Sequence, residues 1–273
     1  MEGAKQLRER LHNGRPLLGV FSKTCDPAMI EVLGHAGFHY VILDCEHGPS
    51  NPMVLQNLIR AAEVAGIAPI VRVASIDEEI SRALDVGAIG VEIPKVETAE
   101  DARRAIQAAK FYPEGERGVC RFVRAAGYSS TPKERYFQEA NENFVVLQLE
   151  GTEAVSNIDT ILKTPGIDVI FVGPYDLSQS LGLTGQVTHP LVEEKMKEII
   201  LKCREKGVAA GTFCDTIENA RKWMAVGVQY IAFSVDVGIF YEACRESADA
   251  LLQGNAADSS VRKSGEAFEK DKS

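Results

Sequence analysis

The sequence predicts an α/β fold of the (β/α)8 barrel (TIM barrel) class, on three observations. Short runs rich in Val, Ile and Phe recur along the chain, each followed by a stretch of helical period, the pattern of parallel strands covered by helices. There are eight such runs, the number that closes this barrel. The length, 273 residues, suits one barrel domain of roughly 250 residues.

The strand candidates in order are PLLGVF near Leu17, YVILD from Tyr40, PIVRV from Pro69, IGVEIP from Ile89, FVVLQLE from Phe144, DVIFVG from Asp168, VAAGTF from Val208 and YIAFSV from Tyr230. Between them lie helix candidates at 26–36, 52–65, 77–85, 99–109, 193–205 and 217–225. Gly37, Gly66, Gly87, Gly207 and Gly227 follow several of these, as expected where a helix ends in left-handed geometry. The repeated Ala-Gly or Val-Gly ending before a strand reads as one βα unit used again and again. The regularity breaks between Phe111 and Asn143, a long insertion before the fifth strand. From Gln253 the chain is polar and poor in large apolar residues. This predicts a barrel domain over residues 1–252 and a mobile tail over 253–273.

Lys plus Arg total 30 against 39 Asp plus Glu, a formal net charge of −9, which argues against a nucleic-acid partner. No apolar run approaches the ~20 residues that span a bilayer, and MEGAKQLRERLHNG lacks the apolar centre of a signal peptide. A cytoplasmic protein without membrane contact is therefore expected. Six scattered cysteines with no CxxC pair fit reduced thiols.

In this fold, functional groups sit at the C-terminal ends of strands. Glu150 and Asp176 follow the fifth and sixth strands, and two converging carboxylates repel unless a cation or a proton lies between them. Carboxylates without a neighbouring His or Cys suit Mg²⁺ or Mn²⁺; the alternative is a pair of surface acids. His47 lies three residues after Asp44, a spacing at which the aspartate could orient the imidazole as an acid or base; the alternative is a His capping the next turn. Arg72 interrupts an apolar strand, so it must be paired, with Asp44 or Glu46, or face a ligand carboxylate. Lys95 after Ile93-Pro94 is either a Schiff-base candidate or a solvated lysine. A Schiff base would leave Glu150 and Asp176 without a purpose, which favours the cation route.

The stretches AGFHYVILDCEHGP, RALDVGAIGVEIPKVETAEDAR, YPEGERGV, VLQLEGTEAV and GIDVIFVGPYDLSQSLG resemble, in order and spacing, the metal-dependent (class II) pyruvate aldolases of the 4-hydroxy-2-oxoheptanedioate aldolase family. That family lies within the superfamily of the citrate lyase β-subunit. The likeness runs from about Gly14 to about Leu252. It implies a lyase that cleaves or forms a carbon–carbon bond between pyruvate and an aldehyde. The implied roles are Glu150 and Asp176 as metal ligands, His47 with Asp44 as acid/base dyad, and Arg72 as holder of the 2-oxo acid and its enolate. Gln148 corresponds to a polar site residue, and Gly173, Pro174, Tyr175 and Asp176 to the turn receiving the substrate carboxylate. The resemblance further implies a homohexamer, a trimer of dimers, with the last helix exchanged between subunits.

Cys45, Lys95, Tyr175 and the run CRFVRAAGYS depart from the better-known aldolases, and Pro94-Lys95 is more similar to the citrate lyase and malyl-CoA lyase branch. Synthesis of a citrate-like acid from oxaloacetate thus stays open, as does a catalytically silent barrel that binds an oxo acid or acyl-CoA. Arg121 and Arg124, with Arg117, fall in the insertion, where Arg121 or Arg124 is expected either to grip a distal carboxylate of a second substrate or to pair with acids at a subunit interface.

Overall fold

A computed structural model describes residues 2–76 and 78–266, and the side chains of residues 3–252 other than Asp77. Eight parallel strands close into one barrel in sequence order: β1 (Leu17–Ser22), β2 (Tyr40–Asp44), β3 (Ala68–Arg72), β4 (Gly90–Ile93), β5 (Phe144–Leu149), β6 (Val169–Val172), β7 (Ala209–Cys214) and β8 (Tyr230–Val235). β1 pairs with both β2 and β8, which closes the ring. Each strand found coincides within about two residues with an expected apolar run, because β-branched and aromatic residues buried on both faces leave little ambiguity.

Helices alternate with the strands. They are α1 (Glu2–His12), α2 (Pro27–His35), α3 (Pro52–Ala65), α4 (Glu78–Asp85), α5 (Ala99–Ala109), α6 (Lys133–Ala140), α7 (Thr152–Ile161), α8 (Pro174–Ser180), α9 (Pro190–Lys206), α10 (Ile217–Val226) and α11 (Asp236–Glu266). Asp77, expected to open the fourth, lies outside the described residues. Start signals are legible: Asn51 caps α3 by accepting from the N–H groups of Met53 and Val54, with Pro52 in the first turn. Thr98 and Asp101 form a reciprocal capping box on α5. The five glycines expected to end helices all have positive φ.

The barrel interior is filled by Phe21, Tyr40, Ile42, Ile70, Phe144, Val146, Phe171 and Tyr230, and the rings of Tyr40 and Tyr230 stack 4.0 Å apart. α1, unforeseen from the sequence, contributes Ala4 and Leu7 to this core. Its Arg8 holds Asp168 at 2.6 and 2.9 Å and also donates to the carbonyl of Asn143.

The insertion has a small core of its own, Phe111, Ala126, Tyr136 and Ala140, built around a short 3-10 segment (Arg124–Ser129) and α6. It leaves from the end of α5 and returns to the start of β5, so it lies at the N-terminal side of the strands. There Arg117 pairs with Asp85 at 2.6 Å, and Arg124 donates to Glu63 Oε1 at 3.0 Å and to the carbonyl of Val86.

The chain divides into two compact units, the barrel up to Val235 and a second unit from Asp236. α11 continues to Glu266, past residue 253 where the sequence suggests a tail begins, and 267–273 lie outside the described residues. Low apolar content rules out a packed core more strongly than it rules out a helix, and Ala, Arg, Lys and Glu in this stretch favour helix. Among the described residues no helix is long and apolar enough to cross a membrane.

Gly19 on β1 faces the ring of Tyr40, and a Cβ placed there would stand 2.2 Å from a ring carbon. Gly19→Ala should lower unfolding free energy by about 1–3 kcal/mol, the usual cost of overpacking, as measured by denaturant titration.

Candidate active site at the strand ends

The C-terminal rim is organised by a buried ion pair. Asp44, the last residue of β2, and Arg72, the last of β3, are register partners. Both point into the barrel. Arg72 donates from Nε to Asp44 Oδ1 at 2.9 Å and from Nη2 to Oδ2 at 2.7 Å, a two-pronged clamp. Its guanidinium also lies over the Phe21 ring at 4.7 Å. Burial disfavours both charges, but each partner's hydrogen bonds and charge outweigh it. The Asp44 carboxyl is held below the ordinary carboxylate range, and the Arg72 pKa is pushed up.

Asp44 Oδ1 also accepts the backbone N–H groups of Glu46 (3.0 Å) and His47 (3.2 Å), fixing the chain just past the strand. This corrects the expected dyad. Asp44 holds the His47 backbone, not its ring, because both carboxylate oxygens are already committed to Arg72. The His47 ring is 58% exposed, and its Nε2 lies 3.8 Å from Glu46 Oε2. Glu46 is the hub that sequence reasoning underweighted: it also meets Arg72 Nη1 at 3.3 Å and Lys95 Nζ at 2.9 Å.

Glu150, just past β5, is buried; its Oε1 accepts the N–H of Lys95 at 3.0 Å and its Oε2 the amide of Gln148. Burial and the negative charges of Asp176 and Glu46 raise its pKa, only partly opposed by those hydrogen bonds. A carboxylate in such a position gains from a nearby cation. Asp176 lies in the first turn of α8, exposed at the rim. Gly173, just before it, permits the close approach: a Cβ there would stand 3.0 Å from Glu150 Oε2. Among the described residues no three Asp, Glu, His or Cys side chains converge as a full metal cage. Two carboxylates beside the buried, unpartnered Oε1 of Gln148 fit a hard cation that keeps waters and substrate oxygens in its shell.

Lys95 has a φ of 57°, a left-handed backbone that a residue with a side chain adopts only under constraint. Its ammonium is paired with Glu46, which raises its pKa and keeps it protonated. That is the opposite of what a Schiff-base lysine needs. Tyr175 donates to Asp215 at 2.7 Å, and burial, then the Asp215 contact, pushes its hydroxyl up to about 12.

Arg121 and Arg124 are not brought to this rim of their own barrel. Arg121 donates to the carbonyl of Ser129, and Arg124 is engaged by Glu63 and Val86. A connection from helix to strand emerges on the N-terminal side, and their place there follows from that topology. A cavity of about 1030 Å³ on that side is lined by Arg124, Glu63, His39 and Tyr128 and includes none of the rim acids. Sequence reasoning also missed Glu92 on β4, although IGVEIP breaks its apolar run with a charge just as PIVRV does.

A closed parallel barrel whose strand ends gather four acids around one clamped arginine defines the class: a barrel with a charged, acid-rich mouth. The chain belongs to the HpcH/HpaI aldolase/citrate lyase family, whose model matches residues 17–243. It is 36% identical over 236 residues to a 5-keto-4-deoxy-D-glucarate aldolase of Citrobacter koseri, covering 86% of this chain and 91% of that one. A family protein from Burkholderia cenocepacia J2315 matches its structure with a TM-score of 0.86 at 34% identity, covering 90% and 98% of the two chains. The citrate synthase SbnG matches with a TM-score of 0.83 at 34% identity, covering 92% and 98%. The family expectation holds at this level, while the relatives carry the glucarate-derived aldolase name rather than that of the heptanedioate enzyme.

Asp44→Asn would take from a buried guanidinium the carboxylate that holds two of its three nitrogens. The expected cost is about 3–5 kcal/mol in urea unfolding, and Arg72→Met added to it should recover part of the loss.

Proposed function

We propose that this protein is a divalent-cation-dependent pyruvate aldolase, which cleaves a 4-hydroxy-2-oxo acid to pyruvate and an aldehyde or runs the reverse condensation. The observation that carries this reading is the burial of Glu150 close to Asp176 at adjacent strand ends, beside a buried arginine. Glu150 and Asp176 would hold Mg²⁺ or Mn²⁺, and that ion supplies Lewis acidity toward the oxo acid when bound.

This chain's own residues do the rest. Arg72 stays charged and stabilises the negative charge that grows on the C2 oxygen as the enolate forms. Asp44 fixes the fork of the guanidinium so that its remaining edge faces the site. Gln148 and the turn Gly173-Pro174-Tyr175-Asp176 orient the oxo-acid carboxylate. In cleavage, His47 takes the proton from the 4-hydroxyl as the C3–C4 bond breaks, a task suited to an imidazole that is free to move at the rim. Lys95 remains an ammonium and forms no covalent intermediate.

The likeness to a citrate synthase favours one second reading, condensation of the enolate with oxaloacetate or another 2-oxo acid. Both readings require enolate formation and differ in the electrophile.

The deciding experiment is exchange of the pyruvate methyl protons in deuterium oxide with added Mg²⁺, followed by NMR. Exchange is expected in the native protein and a loss of at least about 100-fold in Glu150→Gln with Asp176→Asn, with near-native circular dichroism. An unexchanged methyl group in the native protein would refute enolate chemistry and favour a silent binding barrel. An acceptor series of aldehydes and oxo acids then separates the two readings.

We also propose that the protein assembles as a homo-oligomer through α11, a hexamer being the family's arrangement. Val237, Phe240, Tyr241, Leu251 and Leu252 on this helix are exposed large apolar residues, and residues 237, 240 and 241 share one face. Phe240→Asp with Tyr241→Asp should yield a smaller species in sedimentation; an unchanged mass would remove α11 from the assembly.

A further inference from the structure

Glu92 lies in the middle of β4, with its side chain inside the barrel and no solvent exposure. Neither of its carboxyl oxygens meets a hydrogen-bond partner among the described residues. The register sets it beside Arg72, just as Asp44 is set on the other side of Arg72. β2, β3 and β4 thus present a row of acid, base and acid. Arg72 has two acids to choose from, yet its fork closes on Asp44 and its remaining nitrogen reaches Glu46.

A buried carboxylate without hydrogen bonds is among the costliest groups a protein can hold, and the usual escape is to keep its proton. Burial is the main cause that pushes Glu92 up to about 8, against the attraction of Arg72. The groups facing it from the packed elements are Arg72 on β3, Tyr40 and Asp44 on β2, Glu46 beyond β2, Glu150 beyond β5 and Tyr230 on β8. Arg72 is the only cation among these, and it is spent on Asp44.

We propose that Glu92 is a positioning residue for Arg72: as an uncharged carboxyl beside the guanidinium it leaves the fork clamped to Asp44 and its Nη1 edge, which meets Glu46, at the mouth where the oxo acid would bind. An ionised Glu92 would compete with Asp44 for the same guanidinium and draw it down into the barrel. The inference rests on Arg72 being the oxo-acid anchor.

The test compares native protein, Glu92→Gln and Glu92→Leu by calorimetric binding of pyruvate in the presence of Mg²⁺, at about pH 6.5 and about pH 9. Glu92→Leu, which removes the polar group, should weaken binding about tenfold, and Glu92→Gln should restore it to within about threefold at the lower pH. Raising the pH through about 8 should weaken binding in the native protein more than in Glu92→Gln. In the infrared difference spectrum, native minus Glu92→Gln, the carbonyl band of an un-ionised carboxylic acid should be present at the lower pH and absent at the higher one. A missing band at the lower pH, native-like binding in Glu92→Leu, or equal damage in both variants would overturn the proposal. Failure of the native protein to bind pyruvate would instead strike at the aldolase reading, and the band needs no substrate to be read.

Stability gives a second readout. A folded pKa raised from 4.5 to about 8 costs nothing below the lower value, and its cost grows as the pH rises between the two. Glu92→Gln, which never ionises, should therefore gain stability relative to the native protein between about pH 5 and pH 8. An unchanged difference across that window would also count against an uncharged Glu92.

Discussion

A guanidinium enclosed at the end of a parallel barrel has to be neutralised where it stands, and the geometry of the whole rim follows from how this is done. Arg72 cannot turn to solvent, so β2 ends in an aspartate whose two oxygens match the two donors of the fork. One of those oxygens also gathers the N–H groups of Glu46 and His47. The direction in which the chain leaves β2 is thereby tied to the position of the arginine. Glu46 is carried back over the barrel mouth, where it meets Arg72 and Lys95, and His47 is carried outward to the edge. One ion pair thus sets a buried positive charge at the centre and an exposed imidazole at the rim, the division of labour that the proposed enolate chemistry would need.

The second constraint is an excess of acid. Asp44, Glu46, Glu92, Glu150 and Asp176 share a small volume with Arg72, Lys95 and, at 3.7 Å from Asp44, Lys23. Such a set is stable only if the acids are treated differently. Asp44 is charged because it is clamped, Glu46 bridges two cations, and Glu92 has no hydrogen-bond partner among the described residues, which favours its un-ionised form. Glu150 lies between these cases. It has hydrogen bonds that favour its charge and burial that opposes it, so it is the member whose state a bound cation would settle.

The fold was legible because the signals were redundant. Each buried strand reads as an apolar run, five of the helices that precede a strand are followed by a glycine with positive φ, and the count of eight is itself a closure condition. α1 was less legible although Ala4, Leu7 and Leu11 stand at i, i+3 and i+7, because three apolar residues in a strongly charged stretch stand out only once they meet the barrel core. At the site, position along a strand predicted which residues reach the rim, but not how they pair. Spacing alone suggested that Asp44 would hold the His47 ring. The competing claim of Arg72 on the same carboxylate arises from a strand 28 residues away and exists only in three dimensions. The insertion's arginines illustrate a related limit: composition marks them as cations, whereas topology places them at the N-terminal end of their own barrel, away from its rim.

Lys95 joins these arguments. It follows a proline at the end of β4 and takes a left-handed backbone, a conformation that glycine would adopt more cheaply. What the chain gains is a backbone N–H directed to Glu150 from the same residue whose ammonium holds Glu46. The residue therefore ties together the acid beside Arg72 and the acid beside Asp176, two parts of the rim that arise from different strands. A methionine at this position could supply the N–H but not the charge, leaving Glu46 to Arg72 and His47 alone. The charge on Lys95 balances part of the acid excess without entering the buried core, and its exposed side chain, 69% accessible, can follow Glu46 or an incoming carboxylate. An acceptor carrying its own negative charge would compete with Glu46 for that ammonium, so under the proposed aldolase reading the choice between a neutral aldehyde and an acidic electrophile would be made at the rim, above the Asp44–Arg72 clamp rather than within it.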